Sequence, residues 1–201
     1  MENKHTGDLV RANGYAFFSA CFYPPGDSFT TDIENAGNVC GAMAEDIRCL
    51  ARNTDVEDIK RDYVRLFVGP FKTLAPPCGS LYMEQDGCFM GDSSVDVQRW
   101  YEEDGLTNTL HEPPDHVIVE LEYLHFLAGQ ALRTADDGRS DQADRYRERE
   151  QQFLSLHFAR WAMAFANNIE TNAETEFYRC VARIMSHFLK ESAIHLPIAS
   201  A

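Results

Sequence analysis

The feature that most constrains this chain is the spacing of its apolar residues. Val117, Leu121, Leu124 and Ala128 fall at steps of four, three and four, as do Phe177, Val181, Ile184 and Phe188. That spacing puts each set on one face of an α-helix. Strand-like alternation never lasts more than a few residues, and no internal repeat or low-complexity segment occurs. The chain therefore reads as all-α, a helical bundle-like single domain over 1–201.

Helices are expected along the whole length. Leu9, Val10, Tyr15, Phe17, Phe18 and Phe22 mark the first, which Pro24-Pro25-Gly26 ends. Ile33, Cys40, Met43, Ile47 and Leu50 continue at helical spacing. A third helix carries Val56, Ile59, Tyr63, Leu66 and Phe67, with Thr54 or Asp55 as its N-cap and Gly69-Pro70 as its stop. Residues 69–93 are rich in Pro and Gly yet also in Leu, Tyr, Met and Phe, so an ordered loop is expected there rather than a linker. A helix over Ser94–Glu103 follows, with Val97, Trp100 and Tyr101 on its apolar face. Beyond residue 117 three more helices are expected, the middle one running from about Gln142 to Ile169. Its first half is charged. Phe153, Leu154, Leu156, Phe158, Trp161 and Phe165 supply its core.

Between these halves stands HEPPDH, residues 111–116. It reads as a hinge in which Pro113 and Pro114 set the turn, dividing an N-terminal lobe of about 1–110 from a C-terminal lobe of about 117–201. The simplest reading of its acids is helix initiation, with Glu112 or Asp115 as the cap and Pro113 at the first helical position. That leaves His111 and His116 unexplained. The alternative is a metal-binding helical-bundle protein, or an enzyme, that uses the Glu, Asp and His residues of 111–125, His111, Glu112, Asp115 and His116 among them. Glu122 and His125 form an E-x-x-H pair of the kind di-iron bundles use twice, but no second pair exists, and Glu191 and His195 lie near a terminus. The cysteines at 21, 40, 49, 78, 88 and 180 have no ligand spacing, so neither a metal nor any other cofactor is expected. Nucleophile-elbow, P-loop and dinucleotide fingerprints are also missing, and no catalytic residue is assigned.

A formal net charge of −14 disfavours nucleic acid and favours a cationic partner. The first residues, MENKHTGDLVRANGYAFF, lack the cationic and apolar regions of a signal peptide, and no apolar run approaches the ~20 residues of a membrane span. A cytoplasmic protein with reduced thiols is expected.

Three segments then carry a resemblance. DYVRLFVGP (62–70), APPCGSLYMEQDG (75–87) and EPPDHVIVELEYLHFL (112–127) are similar, in order and spacing, to motifs of the TorD/DmsD/NarJ-type chaperones, with the DmsD-like branch nearest. Cys78 departs from the Trp frequent in that branch, and Tyr123-Leu124 from the usual Phe-Met. The resemblance covers most of the chain. It implies an all-α, non-catalytic protein of the cytoplasm that matures redox enzymes of the DMSO/TMAO reductase kind. Such a protein binds the twin-arginine signal peptide of a molybdopterin oxidoreductase catalytic subunit in its apo form and holds it until cofactor insertion and folding are complete. It further implies contact with Tat translocase components and weak guanine-nucleotide binding.

The ligand would present two arginines and an apolar helix-forming run. Arginine calls for carboxylates, which Glu112 and Asp115 can supply. The apolar run calls for a groove, for which Tyr63, Phe67, Leu81, Tyr82 and Met83 are candidates beside Gly79 and Ser80. Phe67, at helical spacing, also reads as core. Tyr82, in a Pro/Gly loop, reads as surface. His116 would hold the hinge or hydrogen-bond the peptide.

Overall fold

In the computed structural model, which describes residues 2–69, 73–84 and 87–195, each apolar period becomes a helix. The elements are α1 (Glu2–Phe22), α2 (Phe29–Gly37), α3 (Ala42–Asn53), α4 (Val56–Tyr63), α5 (Ser80–Met83), α6 (Asp92–Glu103), α7 (Val117–Asp136), α8 (Ser140–Phe153), α9 (Ala159–Asn172) and α10 (Glu176–His195). Among the described residues there is no strand, and no helix is long and apolar enough to cross a membrane. The fold is all-α.

The packing runs across the chain order. α1 lies along α7, α7 along α8, and α10 packs on α9, α3 and α1. The buried side chains form a core cluster that draws residues from both sides of 111–116. Phe22 and Phe67 meet Phe165, and Phe67 also stands edge-on to Tyr178. Phe67 is thus a core residue.

Several boundaries differ from the periodic reading. The run from Ile33 to Leu50 is broken at residues 38–41, where Gly41 takes φ 58° and turns the chain between α2 and α3. Leu9 and Val10 lie on the exposed side of α1, while Ala12, Tyr15, Phe18 and Phe22 face the core. Asp55 caps α4, its carboxylate accepting from the Glu57 N–H at 2.9 Å. The helix then widens into a π-turn over Val64–Val68 and stops at Gly69, whose N–H donates to the Val64 carbonyl and whose φ is 53°. Pro70, the other half of that stop, lies outside the described residues. A second π-turn, Leu154–Phe158, joins α8 to α9 without a break. It keeps Phe153, Phe158, Trp161 and Phe165 on the core side and leaves Leu156 exposed.

The cap of α7 is neither Glu112 nor Asp115. It is His116, whose Nδ1 accepts from the Ile118 N–H at 3.3 Å, and Pro113 lies ahead of the helix. Asp115 is spent elsewhere, as described below.

Charge is used inside the fold as well as outside. Asp8, Arg11, Arg147 and Glu150 are buried between α1 and α8. The Arg11 Nε donates to Glu150 Oε1 at 2.8 Å and the Tyr15 hydroxyl to the same oxygen at 3.0 Å. Arg147 forks onto Asp8, with Nε donating at 3.0 Å and Nη2 at 2.5 Å. Removing one member of such a set leaves a buried charge uncompensated. Arg11→Ala is therefore expected to cost about 3–5 kcal/mol, read as a lower urea midpoint at unchanged slope. A loss below 1 kcal/mol would contradict this account.

Candidate functional site

The three segments of distinctive sequence meet in space. The Ala75 N–H donates to the Leu66 carbonyl at 2.9 Å, which joins the end of the α4 helix to the Pro/Gly loop. The Gly79 N–H donates to the Asp115 carbonyl at 2.9 Å and the Val117 N–H to the Pro77 carbonyl at 2.8 Å, which joins that loop to the head of α7. Cys78 and His116 form an isolated antiparallel bridge at this point.

The Asp115 side chain closes the junction. Its Oδ2 accepts from the Ser80 N–H at 2.7 Å, while Oδ1 has no partner among the described residues, and the residue is 1% exposed. Ser80 is fully buried, and its hydroxyl accepts from the Met90 N–H at 3.2 Å, holding the following turn, where Met90 has φ 57°. Ser80 shapes the loop. Part of that loop is a single helical turn, α5, which lays Tyr82 half-buried against Trp161 with ring centroids 5.7 Å apart. Tyr82, expected at the surface, keeps part of its side chain exposed and rests the other part on this indole. Burial pushes its hydroxyl up to about 12. Gly79 is fixed by the same indole, since a Cβ there would lie 2.8 Å from Trp161 Nε1.

The remaining assigned residues surround this junction. Glu112 is exposed, with its carboxylate 3.8 Å from His116 Nε2. Tyr63 is half-buried, and burial with the charge of Glu112 pushes its hydroxyl up to about 12. Phe67 lies behind Tyr63 with centroids 5.1 Å apart. Pro114 is held by the Tyr101 hydroxyl, which donates to its carbonyl at 2.8 Å, and the Pro113 carbonyl accepts from the His116 N–H at 3.0 Å. Leu81 and Met83 are half-buried. Beyond Met83 and Glu84 opens a groove of about 790 Å³, flanked by Val95, Trp100 and Leu156.

Two buried residues at this junction were not singled out from sequence. Glu120 is 1% exposed, accepting from the Trp161 indole N–H at 3.2 Å through Oε1, while Oε2 has no partner among the described residues. Burial, then the charge of Asp115, pushes its carboxyl well above the usual range. The signal was present: Glu120 stands three after Val117 and four before Leu124, an acid on an apolar face. Trp161 was read only as core.

The metal alternative loses its residues to other tasks. Glu122 accepts from the Ser19 hydroxyl at 2.9 Å, and His125 Nδ1 bonds the Ala12 carbonyl at 2.8 Å, so both tie α7 to α1. His111 is exposed, and the His195 side chain lies outside the described residues. Among the described residues no group of three His, Cys, Asp or Glu side chains could hold a metal ion.

The chain and its fold match a known class. The model of the family described as "Nitrate reductase delta subunit" matches residues 34–167, more than half of the chain, and the chain belongs to that family. Its relatives include the Tat proofreading chaperone DmsD of Salmonella typhimurium, 27% identical over 130 residues, a match covering 64% of this chain but only 57% of that protein. The probable Tat proofreading chaperone DmsD of Haemophilus influenzae is 23% identical over 208 aligned positions, covering 97% and 95% of the two chains. The chaperone protein TorD of Aliivibrio fischeri is 22% identical, covering 74% and 69%. These relatives are named as chaperones, not enzymes. The crystal structure of a candidate redox enzyme maturation protein from Archaeoglobus fulgidus shares the fold, with a TM-score of 0.66, 23% identity and coverage of 89% and 93%.

Two outcomes follow from the junction. Burial holds His116 down to about 4, against 6.5 for a free imidazole. Between these values the unfolded chain binds the extra proton, so stability falls as pH drops from about 6.5 towards 4. His116→Asn, which keeps a capping side chain, is expected to flatten that slope, read from urea midpoints between pH 7 and pH 5. An unchanged slope would contradict the assignment. Gly79→Ala forces a methyl against the indole and should cost about 1–3 kcal/mol, read by thermal unfolding.

Proposed function

We propose that this protein is a cytoplasmic chaperone that binds the twin-arginine leader of a molybdopterin oxidoreductase catalytic subunit, in its apo form, and holds it until cofactor insertion and folding are complete. The observation that carries this reading is Asp115: a buried carboxylate with one oxygen unpartnered, where the three family-like segments converge. A buried acceptor without a donor is costly, and a guanidinium brings several donors in a planar fork.

The other residues take roles by position. Glu112, exposed at the rim, and the −14 background draw the cationic leader in. Asp115 receives an arginine on its free oxygen, beside the loop carrying Gly79, Ser80 and Tyr82. Pro113 and Pro114 set the turn, and His116 fixes the head of α7. Tyr63 and Tyr82 form aromatic walls backed by Phe67. The apolar run of the leader lies along Leu81 and Met83 towards the groove beside Val95 and Leu156.

Calorimetric titration with a synthetic twin-arginine leader tests this. The wild type should bind, with affinity falling as salt rises. Asp115→Asn, checked for folding by circular dichroism, should weaken binding by about tenfold or more. No binding by the wild type sinks the function. Equal binding by Asp115→Asn sinks the site.

A further inference from the structure

Two carboxylates, not one, are buried half-satisfied at this junction. Asp115 has Oδ2 on the Ser80 N–H and Oδ1 free, while Glu120 has Oε1 on the Trp161 indole and Oε2 free. Both are 1% exposed. Each is held by one neutral donor from a different element, and the remaining oxygen of each has no hydrogen-bond partner among the described residues.

Among the described residues, the groups that face Glu120 supply no cation. On its own helix head stand Asp115 and His116, and burial keeps the imidazole neutral above about 4. From the loop comes Cys78, whose thiol is pushed far up by burial and then by the charges of Asp115, Glu112 and Glu120. From α6 comes Tyr101, buried and also pushed up, with its hydroxyl on Pro114. From α9 comes the neutral Trp161. Two adjacent buried acids without a counter-cation cannot both ionise at low cost.

We propose that Asp115 and Glu120 together form the seat of one guanidinium, in which the arriving arginine replaces a proton that Glu120 carries in the free protein. This rests on the peptide-binding reading and adds a second binding residue to it. The exchange balances simply. The Glu120 O–H bond breaks, the proton leaves to solvent, and the arginine charge takes its place between the two free oxygens. A lysine ammonium would serve less well, because it offers no planar fork to span two carboxylates.

The seat has a thermodynamic signature that a single carboxylate lacks. Titrations of the leader at pH 7 in phosphate and in Tris, whose ionisation enthalpies differ, report protons released per peptide bound. About one proton is expected for the wild type, with affinity rising by up to tenfold per pH unit. Glu120→Gln keeps an acceptor for Trp161, and its release should fall to near zero with weaker binding. A leader with its arginine pair changed to glutamine should also release none. Binding of the wild type without proton release would overturn the seat and leave the chaperone reading standing, as would unchanged release by Glu120→Gln. Absence of any binding would overturn both.

Discussion

The hydrogen bond from the Ser80 N–H to the Asp115 carboxylate is the interaction on which the rest of the site depends. A double proline precedes α7, so the chain reaches that helix without donors of its own at 113 and 114. The loop from Pro77 to Ser80 fills the gap, exchanging backbone bonds with Asp115 and Val117 on either side of the carboxylate. One short aspartate thus fixes the start of α7 relative to a loop 35 residues earlier in the chain. Because α1 and α8 both pack on α7, the placement of that loop is referred to the whole bundle. Tyr82, Gly79 and Trp161 then take positions that the carboxylate has already decided.

Much of the fold was legible because burial imposes a period. α1, α4, α6, α7 and α10 follow from their apolar spacings, and the Asp55 cap from local chemistry. The misreadings have physical causes. The turn between α2 and α3 hides within a spacing that a straight helix would also give, and only Gly41 with its positive φ marks it. The α7 cap went to a histidine, a residue seldom used so, because Asp115 was drawn to a partner far off in sequence. Leu9 and Val10 are apolar yet exposed, which hydrophobicity alone does not reveal. For the site, the three segments were legible as text, but their convergence was not, since Leu66, Ala75, Pro77 and Asp115 meet only through backbone bonds.

Charge divides into two populations. One is structural: Arg11 and Arg147 neutralise Glu150 and Asp8 inside the α1–α8 interface, and Asp62 accepts from the Glu174 and Thr175 N–H groups ahead of α10. Those acids are matched where they lie. The acids at the α7 head are not, since Asp115 and Glu120 each keep a free oxygen. The contrast within one chain separates carboxylates that complete the fold from carboxylates that the fold leaves open. Net charge, which counts both alike, conceals it.

Trp161 gives this arrangement an optical consequence. The chain has two tryptophans, and this one touches nearly every part of the junction: stacked under Tyr82, bonded to Glu120 and pressed against the Gly79 backbone. The other, Trp100, borders the neighbouring groove. Indole emission therefore comes from this junction and from the groove beside it, so a change at either can be followed through the protein's own tryptophans, without a label.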